Sequence, residues 1–290
     1  MSKQLLQKEA IIGYVFITPL VFFILMFVAY PLLTLIYLSF NEKFIGSPEK
    51  FIGLDNFYQL FKEPAYIASV RNTIIFIITD VTIKLTIAFG LALILNRNFR
   101  GRGVARACLM IPWLTPIVPA VLTWHWILHR DFGILNRILL ATGVINTPIE
   151  WLGKDLALTM IILVHVWKYF PFFTLIFLAG LQAIPTELYE VAEIDGADRL
   201  RKFRYITIPY MKNLFKTMYL LSTVWTMAEF VTIWLLTRGG PLYATHVFST
   251  VAYVFGFYFY NLGLAAAVFT TALPVTLFLI FLVTKYMRGI

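Results

Sequence analysis

Charged residues are scarce in this chain of 290 residues: only 13% are Asp, Glu, Lys or Arg, about half the share usual in a soluble domain. Hydrophobic residues make up 60%, more than a soluble fold of this length can bury while keeping a polar exterior. A single cysteine excludes an internal disulfide. The 27 Phe, 15 Tyr and 7 Trp argue against disorder. These observations indicate a membrane protein that crosses the bilayer several times.

Several catalytic signatures are also missing. The sequence has no Gly-x-x-x-x-Gly-Lys-Ser/Thr phosphate loop, no His-Glu-x-x-His zinc motif and no cysteine cluster. His125 and His129 are one helical turn apart and could bind a metal, or they could lie in the aromatic belt at a membrane surface beside Trp124 and Trp126. We favour the belt, because no third ligand is close in sequence, and expect neither a catalytic nor a metal site in this chain.

Six apolar runs are long enough to cross a bilayer, since a spanning helix needs about 20 predominantly apolar residues. The two terminal tails and the links between the runs together place fourteen Lys and Arg on one side and eight on the other. The side richer in Lys and Arg faces the cytoplasm, so both termini should be cytoplasmic and the number of spans even. We predict an all-α membrane protein with one transmembrane domain over residues 1–290. The predicted spans are 11–40, 70–95, 104–128, 157–184, 213–236 and 263–284.

Prolines and turn residues refine the predicted arrangement of spans and links. Pro19 and Pro31 predict that the first span kinks or ends near the membrane surface. The links at 41–69 and 129–156 should lie outside the cell. In the link 237–262, a Tyr- and Phe-rich stretch predicts a short interfacial or re-entrant helix.

The link at 185–212 predicts a cytoplasmic helix–turn–helix. Thr186 can cap a helix whose first turn holds Glu187. Gly196 should end that helix, a basic amphipathic piece should follow, and Pro209 should stop it so that the fifth span can begin. The pair could lie on lipid headgroups or be gripped by a cytoplasmic partner. Its first half is acidic, which favours the partner, because a headgroup binder would be basic throughout.

The spacing of residues in this link resembles the EAA loop of ATP-binding-cassette importer permeases. That loop is Glu-Ala-Ala, three residues, Gly, nine residues, then Ile-x-Leu-Pro. The resemblance covers nearly the whole chain and points to the carbohydrate-uptake branch of the family, through further matching stretches at 51–57, 72–73, 236–241 and 263–267. The residues that match the loop are Glu190, Val191, Ala192, Gly196, Ile206, Thr207, Ile208 and Pro209.

The resemblance implies that this chain is one subunit of a transporter made of several proteins. Such permeases act in pairs, usually of two different chains, and each EAA loop docks on one of two cytoplasmic ATPases that bind ATP and Mg²⁺. A separate extracytoplasmic binding protein delivers the solute, and the spans alternate between inward-open and outward-open states. This chain would be a multi-pass subunit of a prokaryotic inner membrane, without a cofactor of its own. The implied ATPase-coupling residues are Glu190, Ala192, Asp195, Gly196 and Pro209.

Ionisable residues inside the predicted spans are costly and often mark a solute path. Asp80 and Lys84 are spaced i, i+4 and should pair on the inner face of span two. Lys168 lies in span four just before Pro171, which should distort the helix by freeing a backbone carbonyl. Glu229 lies in span five.

In the maltose branch of the family, the positions that meet sugar match residues of spans four and five. Aromatic faces there would stack on sugar rings, or they could be ordinary packing in a Phe-rich bundle. Lys168 and Glu229 are charged where that branch has uncharged groups. They could pair across the cavity, or Lys168 could attract an anionic solute such as a glycerol phosphate or phosphodiester. The implied substrate path is Trp167, Lys168, Tyr169, Phe172, Ser222, Trp225, Thr226 and Glu229.

Two other function classes fit parts of the sequence. An ion-coupled secondary transporter could use the buried charges, but it needs no cytoplasmic helix–turn–helix. An intramembrane enzyme would need a paired carboxylate, a Ser/His pair or a metal site, none of which the sequence offers. The sequence therefore favours the permease of an ATP-driven importer for a sugar, either an oligosaccharide or a glycoside.

Overall fold

A computed structural model gives the architecture of residues 3–288, with side chains described for residues 13–278, 281 and 285. Lys3, Lys8 and Arg288, which contributed to the predicted orientation, lie outside the described side chains. The described secondary structure is almost entirely helical, as predicted. The contacts divide the chain into two compact units, residues 1–63 with 252–273, and residues 64–251 with 274–290.

The elements follow one another in a simple order along the chain. The first half contains α1 (Lys3–Ile24), a π-helical segment (Leu25–Ala29), α2 (Tyr30–Ser39), β1 (Asn41–Glu42), β2 (Lys50–Phe51), α3 (Asp55–Leu60), α4 (Pro64–Leu95), α5 (Arg102–Leu114), α6 (Ile117–Ile127) and α7 (Ile134–Ala141). The second half contains α8 (Ala157–Gln182), α9 (Thr186–Ile194), α10 (Arg199–Lys202), a π-helical segment (Phe203–Thr207), α11 (Ile208–Met227), α12 (Val231–Thr237), α13 (Phe248–Tyr253), a π-helical segment (Val254–Tyr258) and α14 (Leu262–Arg288).

The first unit is held at one end by backbone pairing. β1 and β2 are antiparallel, and the buried Asn56 amide donates to the carbonyls of Ser39 and Asn41, each at 2.9 Å. Gly263 packs directly against the carbonyl of Asn41, so a side chain there would collide with it. Two of the sequence stretches that resemble the carbohydrate-uptake branch, 51–57 and 263–267, therefore meet at this junction.

The second unit is organised around α4 and α8, which pack along much of their length. Val81 and Phe173, both fully buried, belong to one apolar cluster that also takes in Met211 from α11. A second cluster joins α4 and α8 to α6 and α12. Three aromatic side chains of the candidate site, Tyr169, Phe172 and Trp225, pack against the first cluster.

Among the described residues, three helices are long and apolar enough to cross a membrane: Gly13–Ser39, Pro64–Leu95 and Ala157–Gln182. The number rises to five if each of two bent helix pairs forms one span. The helix α14 covers the predicted sixth span, with Leu262–Phe278 as its described apolar part. The predicted helix in the 237–262 link is confirmed at Phe248–Tyr258.

The predicted third span is wrong as a continuous helix. The chain turns by 91° between α5 and α6, where Thr115 adopts an extended conformation. Pro116 causes this break, because a proline lacks the amide hydrogen and disfavours helical geometry in the preceding residue.

The predicted fifth span is also interrupted, and it begins earlier than expected. The helix Arg199–Met227 is continuous, and a 43° bend separates it from α12. Pro209 therefore does not stop the helix, contrary to the prediction. The π-helical segment before it, in which Ile208 N–H donates to the Phe203 carbonyl, widens the turn where the missing donor of Pro209 would break α-helical bonding. Pro171 likewise lies inside an uninterrupted α8.

Candidate functional site

A network of charged and polar side chains is buried where α4, α8 and α11 meet. Lys84 Nζ donates to Asp80 Oδ2 at 2.6 Å, which confirms the predicted pair. Thr226 Oγ1 donates to the same carboxylate oxygen at 2.8 Å. The other carboxylate oxygen of Asp80 lies 2.7 Å from Nδ1 of His165. Asp80 is fully buried and Lys84 is 1% exposed, so this carboxylate is enclosed by its partners.

Glu229 extends the network to the break in the fifth predicted span. Its Oε1 accepts a hydrogen bond from Thr232 N–H at 2.6 Å, and this caps the start of α12. Its Oε2 lies 3.4 Å from Nε2 of His165. Both ring nitrogens of His165 therefore face carboxylates.

Lys168 holds the break in the third predicted span. Its ammonium donates to the carbonyls of Pro112 at 2.7 Å, Trp113 at 2.9 Å and Thr115 at 2.6 Å. These contacts use all three of its donors. Of the two alternatives for Lys168, the salt bridge with Glu229 is not among the ion pairs of the described residues. Pro116 has no amide hydrogen to donate to the Pro112 carbonyl, and the end of α5 at Leu114 leaves the Trp113 and Thr115 carbonyls without helical donors, so all three attract the ammonium.

Four half-buried aromatic side chains form a cage beside this break. Trp113 stacks on Phe172 at a centroid distance of 4.8 Å and on Trp225 at 6.0 Å, with ring planes 29° and 7° apart. Tyr169 meets Trp113 edge-on at 5.8 Å. Each ring is only partly covered, so the aromatic cage (Trp113, Tyr169, Phe172 and Trp225) keeps part of its aromatic surface exposed.

The segment 185–212 forms the predicted helix–turn–helix. Pro185, one residue before the predicted cap, is the N-cap of α9, and Gly196 adopts the predicted left-handed backbone with φ of +74°. Asp198 then caps the next helix by accepting a hydrogen bond from Arg201 N–H at 2.8 Å. Apolar side chains on both halves are exposed to solvent. They are Val191 at 57%, Ile194 at 86% and Leu200 at 72%.

Two further contacts hold the two halves of this segment together. Tyr189 Oη and Thr207 Oγ1 are 2.9 Å apart. Lys202 Nζ donates to Glu193 Oε2 at 2.8 Å, and this ammonium lowers the pKa of the Glu193 carboxyl. These contacts fix the angle between the two halves of the segment, while the apolar side chains Val191, Ile194 and Leu200 remain exposed.

Several proteins that resemble this chain are transport permeases. The sequence profile of the family described as "Binding-protein-dependent transport system inner membrane component" matches residues 84–287. The chain belongs to this family. The trehalose/maltose transport system permease protein MalF of Thermococcus litoralis is 37% identical over 265 residues, covering 91% of this chain and 88% of the relative. The sulfoquinovosyl glycerol transport system permease protein SmoG of Agrobacterium fabrum is 30% identical over 279 residues, covering 92% and 89%.

The fold of the permease has also been seen experimentally. A chain of a bacterial ABC transporter involved in the import of the acidic polysaccharide alginate superposes with a TM-score of 0.86 at 23% identity, covering 99% of each chain. A second alginate transporter structure, in complex with a periplasmic protein bound to an alginate pentasaccharide, gives a TM-score of 0.85 at 23% identity, covering 97% of this chain and 95% of that chain.

The structure gives the candidate substrate-path residues of the permease different surroundings. Tyr169, Phe172 and Trp225 belong to the aromatic cage, while Thr226 and Glu229 belong to the buried network. Ser222 is buried, and its hydroxyl has no hydrogen-bond partner among the described residues. Trp167 meets Trp124 edge-on at 5.4 Å and belongs to neither group.

Sequence reasoning missed His165 and Trp113. His165 had no recognisable spacing to an acid, because its partners lie 85 and 64 residues away in sequence. One feature of the sequence could have indicated Trp113: it lies three residues before Pro116, where a helix is expected to end. The described residues contain no group of three or more His, Cys, Asp or Glu side chains that could hold a metal ion.

Replacing Lys168 by methionine should destabilise the permease strongly. Methionine fills a similar volume but leaves three carbonyls without a donor, and each unsatisfied buried group costs about 1–3 kcal/mol. We expect the free energy of unfolding in mixed micelles to fall by about 3 kcal/mol or more. Lys212→Met, which removes an exposed ammonium, is the control and should change little. Equal stability of the two variants would contradict the role assigned to Lys168.

Proposed function

We propose that this permease moves a sugar, an oligosaccharide or a glycoside, across the membrane, and that the aromatic cage carries the sugar. The observation behind the proposal is the cage itself, four neighbouring aromatic side chains that each keep part of their surface exposed. Aromatic faces pack well on the apolar faces of sugar rings, while nearby polar groups fix the hydroxyls. The free hydroxyl of Ser222 supports this, because a buried polar group without a partner is uncommon unless something else binds it.

The chain would act within a larger assembly. A second permease subunit would pair with it, two ATP-binding-cassette ATPase subunits would bind ATP and Mg²⁺, and an extracytoplasmic protein would deliver the sugar. The chain would hold no cofactor itself. Six spans with both termini in the cytoplasm would place 185–212 on the cytoplasmic side of a prokaryotic inner membrane. The exposed apolar side chains on that segment support docking on an ATPase, because exposed apolar patches commonly mark protein interfaces.

Transport would proceed by alternating access. Closing of the ATPase pair would move the docked segment, in which Glu190, Ala192, Asp195 and Gly196 form the first helix and its turn. That movement would pass to the cage along the helix Arg199–Met227, which is continuous from the turn to Trp225. Pro209 lies within this helix. The breaks held by Lys168 and Glu229 divide two spans into segments that can tilt separately, as breaks in membrane helices do in other transporters.

An anionic solute is the second candidate within the same importer class. Lys168, the residue first expected to attract such a solute, is instead fully engaged by carbonyls. Another cationic site, described in the next subsection, favours this candidate. An ion-coupled secondary transporter is not retained, because the family consists of components of binding-protein-dependent systems.

The test is sugar uptake by the assembled importer in proteoliposomes. We expect uptake of a labelled oligosaccharide to require ATP on the cytoplasmic side and to survive an ionophore. Trp225→Ala should weaken sugar recognition by about tenfold or more, which corresponds to about 1.4 kcal/mol. Trp126→Ala, which removes a side chain that is 73% exposed, should leave recognition unchanged. Uptake that follows an ion gradient without ATP would overturn the proposal.

A further inference from the structure

A pocket with a volume of about 370 Å³ lies at one end of the second unit, away from the aromatic cage. Ligand pockets in proteins have volumes of roughly 300–1,000 Å³, so this one could hold part of a small molecule. It is formed by the start of α4, the turn that leads into α8 and the loop between α12 and α13. The polar side chains that line it are Arg71, Asn72, Lys154, Asp155, Thr159 and Tyr243.

The pocket carries unbalanced positive charge. Arg71 and Lys154 are both exposed, and neither forms a hydrogen bond or ion pair with another residue of the part that the structure describes. Asp155 is the one acidic side chain in the lining and makes no ion pair there either. Two cations and one carboxylate leave a net positive site, and burial lowers the pKa of the neighbouring His246 to about 4, so that imidazole adds no charge near pH 7.

One wall of the pocket is a loop with an unusual and well-anchored backbone. Leu242 and Tyr243 adopt positive φ angles of 50° and 64°, which are uncommon for residues with side chains. The Asn72 amide donates to the carbonyls of Tyr243 at 3.0 Å and His246 at 3.1 Å. Backbone strain of this kind costs about 1–3 kcal/mol per residue and persists where surrounding contacts enforce it, often at ligand sites. The Tyr243 ring is thereby held at the rim of the pocket.

The position of the pocket suits an entry site for the solute. Arg71 precedes Asp80 on α4 by nine residues, and Thr159 precedes Lys168 on α8 by nine residues. At 1.5 Å per residue, both intervals correspond to about 14 Å along the helix axis. The pocket is bordered by the residues that join the links 41–69 and 129–156 to their spans, and the proposed orientation places these links outside the cell.

We propose that this pocket, defined by Arg71, Lys154 and Tyr243, is an outer subsite that binds a carboxylate, sulfonate or phosphate group carried by the sugar. The proposal rests on the proposed function and adds a preference for anionic saccharides. Arg71 and Lys154 would bind the acidic group, because charge-assisted hydrogen bonds are about twice as strong as neutral ones. Tyr243 would cover the ring that bears this group, and the pocket would raise the local concentration of anionic solute before it reaches the cage.

The test is equilibrium binding to the importer complex in nanodiscs without its binding protein. The probes are a labelled tetrasaccharide of uronic acids and the same tetrasaccharide with its carboxyl groups reduced. We expect Arg71→Gln combined with Lys154→Gln to weaken binding of the acidic probe by about tenfold or more and to leave the neutral probe unaffected. The control is Lys50→Gln combined with Arg137→Gln, which removes two exposed cations outside the pocket and should change neither probe.

The outcomes separate the subsite from the function on which it rests. If the control variant loses as much affinity for the acidic probe as the Arg71→Gln, Lys154→Gln variant, the effect is one of general charge and the subsite is overturned. So would a parent complex that binds both probes equally tightly. Weaker binding of the acidic probe in nanodiscs of phosphatidylglycerol than in nanodiscs of phosphatidylcholine, with the difference lost in the Arg71→Gln, Lys154→Gln variant, would assign the pocket to an anionic lipid headgroup instead. A parent complex that binds neither probe would overturn the sugar function together with the subsite.

Discussion

Asp80→Asn should lower the free energy of unfolding by about 3–5 kcal/mol, the usual cost of removing one partner from a buried ion pair. Asparagine keeps the shape of the side chain, but it leaves the Lys84 ammonium and the His165 ring without the carboxylate that each contacts within 2.7 Å. A loss of this size is a large share of the roughly 5–15 kcal/mol that stabilises a typical protein. Unfolding in mixed detergent micelles, followed by circular dichroism, measures it.

A double-mutant cycle shows whether the loss comes from the unpaired charge. Asp80→Asn combined with Lys84→Met should recover about 1–2 kcal/mol relative to the sum of the single variants, because the uncompensated ammonium is gone. Asp131→Asn changes an exposed carboxylate and should be neutral. Strict additivity of the two single variants would show that the Asp80–Lys84 contact carries no coupling, contrary to this expectation.

Gly196→Pro should abolish most ATP-coupled uptake while the chain still inserts into the membrane. The glycine has a φ of +74°, whereas proline is fixed near −65°. The exchange also removes an amide that donates to the Glu193 carbonyl at 3.0 Å. Together these effects should destabilise the turn by about 3 kcal/mol, which lowers the equilibrium constant for forming it by roughly a hundredfold. Uptake by the reconstituted importer should fall by a similar factor.

Gly196→Ala provides a graded comparison. No atom lies within 4 Å of the position that its Cβ would occupy, so its only cost is the left-handed backbone, about 1–2 kcal/mol. Its uptake should fall between that of the parent and that of the proline variant. Gly103→Ala, at a helical glycine that also has open space around it, should leave uptake intact. Unchanged uptake in Gly196→Pro would refute the assignment of this turn to ATPase coupling.

Local spacing predicted the features that depend on neighbours in sequence. The interval between Asp80 and Lys84 indicated their ion pair, since residues four apart share a helix face. Gly196 indicated the end of α9, because glycine takes the left-handed backbone most readily. In both cases a rule that relates neighbouring residues was enough to predict the contact or the turn. The helical fold and its apolar helices were predictable for the same reason.

The features that sequence did not predict depend on residues far apart in the chain. Lys168 bonds to carbonyls 53 to 56 residues away, and backbone carbonyls have no signature in a sequence. Glu229 is likewise 64 residues from His165. The break at Pro116 was different, because an extended residue before a proline is a local rule. Residues 104–128 are apolar almost throughout, and the prediction therefore treated them as one continuous span despite Pro116.

The π-helical segment at Phe203–Thr207 has a consequence for evolution. One extra residue in a helix rotates everything beyond it by about 100°, because an α-helix has 3.6 residues per turn. The direction of the helix face that carries Ser222 and Trp225 therefore depends on the number of residues that precede it in the helix. A lineage that lost a single residue here would turn that face toward different neighbours while keeping every amino acid on it. In this helix, an insertion or deletion changes function more readily than a substitution.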